Sequence, residues 1–160
     1  METYIEINGW QANIRFSSSH VIPEYEKCGR LHGHTYAVHT KIWGQKDESG
    51  ILVDFSVVKN ILREIAKDLD HRVLIPNRYK GVKVDDAENR VELKNNGKKY
   101  VFPREDCILL PLNSTSVENL AEYILQRVLK KIPSKGGIKE IEIGVDEGLG
   151  QGARVRRKLR

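Results

Sequence analysis

Residues 31–44 (LHGHTYAVHTKIWG) read as one long β-strand, and no other stretch constrains the chain as much. Aromatic and β-branched residues crowd it: Tyr36, Val38, Thr40, Ile42 and Trp43. Strand side chains alternate with a period of two. His32, His34, Tyr36 and Val38 therefore share one face, and Thr35, Ala37 and His39 share the other. Two imidazoles project together, while His39 points away and reads as a plain sheet histidine. Gly33 between them permits a close approach to the backbone. Cys28 and His20 lie just upstream, so residues 28–34 (CGRLHGH) gather a thiol and two imidazoles within seven positions. That is half of a metal site with a nucleophile beside it.

The flanking pattern sets the fold class. Residues 2–16 (ETYIEINGWQANIRF) alternate loosely and read as a long strand, broken or bulged near Asn8-Gly9. Ser17-Ser18-Ser19-His20 then leads into a polar loop containing Pro23, and this loop delivers Cys28. After the turn at residues 47–50, Ile51-Leu52-Val53 reads as a short buried strand. Asp54 or Ser56 can cap a helix whose apolar positions Val58, Ile61, Leu62, Ile65 and Leu69 recur at helical spacing. It ends near Asp70-His71. Thr115-Ser116-Val117-Glu118 fits a capping box for a second helix, with Leu120, Ala121, Ile124, Leu125, Val128 and Leu129 inward. Pro133 and Gly136-Gly137 stop it. Residues 138–145 alternate cleanly as a strand, Asp146-Glu147-Gly148 follows, and residues 151–159 form a last basic strand.

Between the helices, residues 77–106 look like an appendage. Strand-like runs surround Asn95-Asn96-Gly97, a strong hairpin signal, with no concentration of chemical groups. Cys107-Ile108-Leu109-Leu110 returns to the core. No regular βαβ alternation is present, so the class is α+β with a mainly antiparallel sheet. Residues 1–160 form a single domain with 77–106 inserted.

At 160 residues the chain is long enough to bury a core without staples. With 39% hydrophobic and 31% charged residues it reads as globular rather than disordered. It has no apolar run of membrane-spanning length and no signal-peptide layout. Two cysteines are too few for a secreted disulfide framework, which favours a reducing cytoplasm. The net charge of +5 suits an anionic substrate or nucleic acid, or simply solubility.

Three neutral imidazoles (His20, His32 and His34) suit zinc and leave a coordination position open, the catalytic arrangement. A closed structural site with Cys28 as fourth ligand remains the alternative, since Cys28 and His32 have finger-like spacing. As a free thiol, Cys28 lies beside Lys27 and Arg30, which favour thiolate and so a nucleophile or base. Cys107, in an apolar run, reads as inert core. Asp70-His71 is either a helix-terminal histidine favoured by the dipole or a carboxylate orienting a proton-moving imidazole. Asp146-Glu147 is either an exposed turn or a carboxylate able to grip a guanidine-like edge through two hydrogen bonds. The basic tail (Arg154, Arg156, Arg157, Lys158, Arg160) reads as a solvated strand face, and nucleic acid is not the favoured partner.

These residues resemble the 6-pyruvoyltetrahydropterin synthase and 6-carboxytetrahydropterin synthase family. The likeness covers residues 16–20 (FSSSH), 28–34 (CGRLHGH), 52–55 (LVDF), 69–71 (LDH), 115–121 (TSVENLA) and the strand ending at Glu147. It implies a tunnelling fold: a four-stranded antiparallel sheet with two helices on one face, assembled into trimers and hexamers. It also implies zinc on His20, His32 and His34, and Cys28 as the catalytic thiol. Asp70-His71 would be a proton-handling pair supplied across a subunit interface. Glu147 would hold the pterin edge, helped by backbone near Thr115 and Ser116. The implied substrate is 7,8-dihydroneopterin triphosphate. One branch eliminates triphosphate to 6-pyruvoyltetrahydropterin. The other releases acetaldehyde and triphosphate and leaves 6-carboxytetrahydropterin, an early step toward deazaguanine-modified (queuosine-type) tRNA bases. The CGRLHGH wording favours the carboxy branch. A pterin-binding module without chemistry, and a structural-zinc protein binding nucleic acid through its tail, are the rival classes. Three features depart from the family pattern: the 77–106 insertion, an asparagine displaced to Asn77, and Gly148 where threonine is usual.

Overall fold

A computed structural model describes residues 1–133 and 136–159. Arg160 of the basic tail lies outside them. The chain forms β1 (Thr3–Ile7), β2 (Arg15–His20), β3 (His32–Gly44), α1 (Phe55–Leu69), β4 (Arg72–Pro76), β5 (Val82–Asp85), β6 (Arg90–Asn95), β7 (Lys98–Pro103), β8 (Cys107–Leu110), α2 (Val117–Lys131), β9 (Ile138–Asp146) and β10 (Gly152–Lys158). The main sheet has seven strands in the order β10-β9-β3-β2-β4-β8, with β1 also on β3.

The long strand β3 is its axis. β2 opposes His32 to Ala37 and β1 opposes Thr40 to Gly44, both antiparallel. The stretch read as one strand is thus two, separated by a turn in which the Asn8 carboxamide oxygen accepts from the amides of Trp10 and Gln11. Counting β1 and β2 as one interrupted strand, β10-β9-β3-β2 is the expected four-stranded antiparallel core. The sheet does not stop there. β4 pairs parallel with β2, and β8 pairs parallel with β4. Both added strands are apolar runs without alternation (RVLIP, CILL), the pattern of strands covered on two faces.

Both helices cover one face. α1 starts where the Asp54 carboxylate accepts from the Ser56 amide at 2.7 Å, and it buries Val58, Ile61, Leu62, Ile65, Ala66 and Leu69. α2 starts at Ser116, whose hydroxyl accepts from the Asn119 amide. The expected Thr115-to-Glu118 capping box therefore does not form: a single cap falls on Ser116, and the Thr115 hydroxyl is committed to His20. These apolar stripes meet Phe16, Tyr36, Val38, Ile42, Ile141 and Ile143 in one continuous core. Ile51-Leu52-Val53 is not a strand: Ile51 is 53% exposed, and the segment only crosses to the Asp54 cap.

Residues 77–106 supply a second sheet, β5-β6-β7, entirely antiparallel. Its apolar face forms a satellite core of Val21, Ile75, Val91, Leu93 and Cys107, flanked by Tyr100 and Phe102. Cys107 is inert as expected: burial pushes its thiol up to about 11. On β10, Arg156 is opposite Glu142 and bonds it at 2.8 Å, while Arg154 bonds Asp146 at 2.8 Å. Part of the basic tail is thus neutralised across the ladder. Among the described residues no helix is long and apolar enough to cross a membrane.

Candidate active site

The β2–β3 register builds the histidine cluster. His20 and His32 are direct antiparallel partners, and Ser18 opposite His34 keeps the third ring on the same face. Side-chain nitrogens of His20, His32 and His34 lie within 4.8 Å of one another. Among the described residues this group does not take in Cys28. The close backbone approach foreseen at Gly33 is that of β2 itself: a Cβ there would stand 2.9 Å from the Ser18 carbonyl oxygen.

The rings are also set in the right tautomer. His20 Nδ1 lies 3.1 Å from the Thr115 carbonyl oxygen and 3.1 Å from its hydroxyl. His32 Nδ1 lies 2.6 Å from the Arg30 carbonyl oxygen. A carbonyl only accepts, so in each neutral ring Nδ1 carries the proton and Nε2 presents a lone pair. The two Nε2 atoms then face each other at 3.1 Å with no proton between them. Two opposed lone pairs repel, and a cation between them removes the conflict. Tetrahedral zinc with nitrogens at about 2.0–2.1 Å would separate them by roughly 3.3 Å. The donor set therefore fits a divalent metal.

Burial, followed by the proximity of His32 and His34, lowers His20 from 6.5 to about 4. Its folded-state value lies below the unfolded one, so the folded protein binds fewer protons there. The stability it contributes is complete above 6.5 and is lost as pH falls toward about 4. Metal binding carries the same sign, because ligands must be deprotonated. Dialysis of metal-loaded protein against a falling pH series is expected to release the metal as pH passes below about 4, where His20 takes up a proton in the folded chain. Full retention well below that value would count against His20 as a ligand.

A cavity of about 470 Å³ opens over the cluster, lined by His20, His32, His34, Cys28, Ser116 and Glu147, among others. Glu147 Oε2 stands 3.8 Å from His34 Nε2. Six of the nine site residues expected from sequence thus share one space. Thr115 is fully buried beneath His20 and spends its side chain on that ring. Asp70 and His71 do not line the cavity. They form their own pair at 2.8 Å, with the His71 side chain 83% exposed and its backbone at φ 55. Asp70 also accepts from the Ser17 amide at 2.8 Å. Partial burial opposes its ionisation, but the hydrogen bonds from Ser17 and His71 outweigh that and hold the carboxyl below its usual range.

Several contributors escape sequence reading. Glu118 and Ser114 line the cavity, though Glu118 reads as a helix-capping residue and Ser114 carries no signal. Tyr36 stacks on Phe16 under the cluster. Burial, and then the charge of Glu147, push its hydroxyl above the ordinary tyrosine value. Behind Glu147, Asp146 accepts from Trp10 Nε1 at 2.9 Å, His39 Nε2 at 2.9 Å and Arg154 at 2.8 Å. His39 does point away from the cluster, yet it pins the strand end that presents Glu147.

Two helices on one face of this sheet, with a three-histidine cluster at the strand ends, define an enzyme scaffold of the pterin-synthase type. The profile of the 6-pyruvoyl tetrahydropterin synthase family matches residues 10–158. A Methanocaldococcus jannaschii protein, provisionally named a 6-carboxy-5,6,7,8-tetrahydropterin synthase, is 36% identical over 158 residues, 97% of each chain. The 6-carboxy-5,6,7,8-tetrahydropterin synthase of Rickettsia conorii is 27% identical over 123 residues, covering 74% of this chain and 78% of that protein. Among solved structures, Plasmodium falciparum 6-pyruvoyl tetrahydropterin synthase superposes with a TM-score of 0.90 at 27% identity, over 99% of both chains. This chain belongs to the 6-pyruvoyl tetrahydropterin synthase family and is a lyase of that type.

Proposed function

We propose that the protein is a zinc-dependent lyase converting 7,8-dihydroneopterin triphosphate and one water into 6-carboxy-5,6,7,8-tetrahydropterin, acetaldehyde and triphosphate. The observation that carries this reading is the exposed Cys28 thiol sharing one cavity with the three-histidine cluster and Glu147. The choice of branch is supported by the similarity to carboxy-type relatives, which extends in one case over 97% of the chain.

Zinc held by His20, His32 and His34 would supply Lewis-acid polarisation of the substrate's side-chain oxygens. The remaining work falls to protein groups. Cys28 takes a proton from the pterin side chain and returns it, which requires a thiol outside the ligand set. Glu147 accepts from the 2-amino and N3 hydrogens through two parallel bonds and fixes the ring orientation. Backbone groups at Thr115 and Ser116 complete that pocket, while the Thr115 side chain keeps His20 in its ligating tautomer. His71 is the second proton-handling group, its imidazole oriented by Asp70. Because the pair lies outside its own chain's cavity, it serves a neighbouring subunit's site in a trimer or hexamer. The two free cysteines fit a reducing cytoplasm, and the product would feed deazaguanine-type tRNA base synthesis.

The second reading is 6-pyruvoyltetrahydropterin formation, favoured by the match to the Plasmodium falciparum fold over 99% of the chain. Incubating the zinc-loaded protein with the triphosphate and separating products distinguishes them. Acetaldehyde with 6-carboxytetrahydropterin is the expected result. 6-Pyruvoyltetrahydropterin without acetaldehyde would select the other branch. Neither product, with metal bound, would sink both and leave a pterin-binding protein.

A further inference from the structure

Cys28 sits on an eleven-residue loop, residues 21–31, that leaves β2 at one histidine of the cluster and re-enters β3 at another. Its own bonds are few: the Ile22 amide donates to the Cys28 carbonyl at 2.9 Å, and the Arg30 amide to the Lys27 carbonyl at 3.1 Å. Tyr25 is 65% exposed and Leu31 43% exposed. A loop with so little internal packing cannot by itself hold a thiol to within a fraction of an ångström.

The inserted sheet supplies what the loop lacks. β6 and β7 are joined by Asn96-Gly97 at φ 50 and φ 74, the positive pair that closes a tight hairpin. This tip reaches under the Cys28 loop. Asn95 is 3% exposed, and its carboxamide oxygen accepts from the Glu24 amide at 3.0 Å. The nitrogen of the same side chain donates to the Gly29 carbonyl at 3.2 Å. Asn96 donates to the Tyr25 carbonyl at 2.8 Å. Two side chains thus satisfy three backbone groups of the loop, on both sides of Cys28.

The loop is shaped to receive them. Glu24 holds φ 68, a conformation that residues with a Cβ disfavour, while donating its amide to Asn95. A Cβ at Gly29 would stand 1.8 Å from the Tyr25 carbonyl oxygen and 3.0 Å from the side-chain nitrogens of Asn95 and Asn96. Only glycine allows the loop and the hairpin tip to close together there. Val21, at the loop's start, is packed in the insertion's own core. The Lys80–Glu24 ion pair, exposed and 3.8 Å long, adds little. The asparagine amides carry the contact.

We propose that the inserted β5-β6-β7 sheet is a clamp on the Cys28 loop, and that Asn95 is the positioning residue that sets the thiol over the histidine cluster. The inference rests on the reading of Cys28 as the reagent. It assigns the insertion a part in the chemistry without giving it a group that touches substrate.

The test is Asn95→Ala in the zinc-loaded full-length protein, read by deuterium exchange, metal content and steady-state kinetics. Exchange in residues 21–31 is expected to rise about tenfold as two loop bonds are lost, with β2 and β3 unchanged. Metal content and KM stay at parental values while kcat falls about tenfold or more, toward the ~100-fold that a 1 Å misplacement can cost. Asn95→Asp, which keeps the acceptor for Glu24 but loses the donor to Gly29, is expected to fall between. Unchanged loop exchange would overturn the proposal, as would faster exchange with parental kcat. If the parent itself forms no pterin product, the reading of Cys28 fails separately, and the clamp is judged by exchange alone. If Asn95→Ala does not fold, Asn96→Gly removes the bond to Tyr25 while keeping the turn, and the same exchange criterion applies.

Discussion

A Cys28→Ala variant is expected to keep its metal and to lose turnover by roughly 10²–10⁴-fold, the range for removing a group that moves protons in the rate-limiting step. The argument is geometric. The three imidazoles close on one another within 4.8 Å without the thiol, and they stand on paired strands rather than on the Cys28 loop. Cys28 is exposed, so its truncation empties no core space, and stability should change by about 0.5 kcal/mol or less. Elemental analysis alongside initial rates separates the alternatives. Loss of metal in step with activity would make Cys28 a fourth ligand and the site a structural one. Full metal with undiminished turnover would remove Cys28 from the chemistry altogether.

The second large effect is expected from His32→Ala. Removing this ring takes away one of two lone pairs that face each other at 3.1 Å, and only two imidazoles remain. The variant should bind no metal after dialysis and show background activity. Thermal unfolding gives an independent reading. A ligand at one hundred times its Kd stabilises the folded state by about 2.7 kcal/mol, which in a chain of this size is a rise of roughly 5–10 °C. The parent should show that rise on adding zinc, and His32→Ala should show none. Its metal-free form should unfold near the metal-free parent, because the lost Nδ1 bond to the Arg30 carbonyl lies at an exposed position. A zinc-dependent shift surviving in the variant would exclude the three-histidine centre.

These two variants also separate what local sequence pattern determined from what the folded chain decided. The period of two along residues 31–44 suffices to set His32 and His34 on one face and His39 on the other. Helical spacing likewise identifies the buried stripe of α1 from Val58 to Leu69. Asn96-Gly97 announces its hairpin because only residues tolerant of positive φ close such a turn. Each of these rests on geometry spanning a few residues, so it is written locally. The family resemblance pointed to Glu147 beside His20, His32 and His34, and the fold brings all four to one cavity.

What remained illegible depends on which distant surfaces meet. The strand β4 has no alternation of its own and becomes a strand only because β2 and β8 flank it. The bonds from His20 to Thr115 join groups 95 positions apart, and nothing near either residue foretells them. The same contact explains why the helix cap falls on Ser116 rather than Thr115. The insertion shows no concentration of chemical groups, so sequence alone makes it an appendage; the fold lays its asparagines against the loop that carries the thiol. Periodicity and turn chemistry act within a few residues and determined the cluster's face, the helices and the hairpin. Registry between strands and packing between separate cores act across the whole chain, and only they decided how the three histidine rings are oriented and which side chains meet the Cys28 loop.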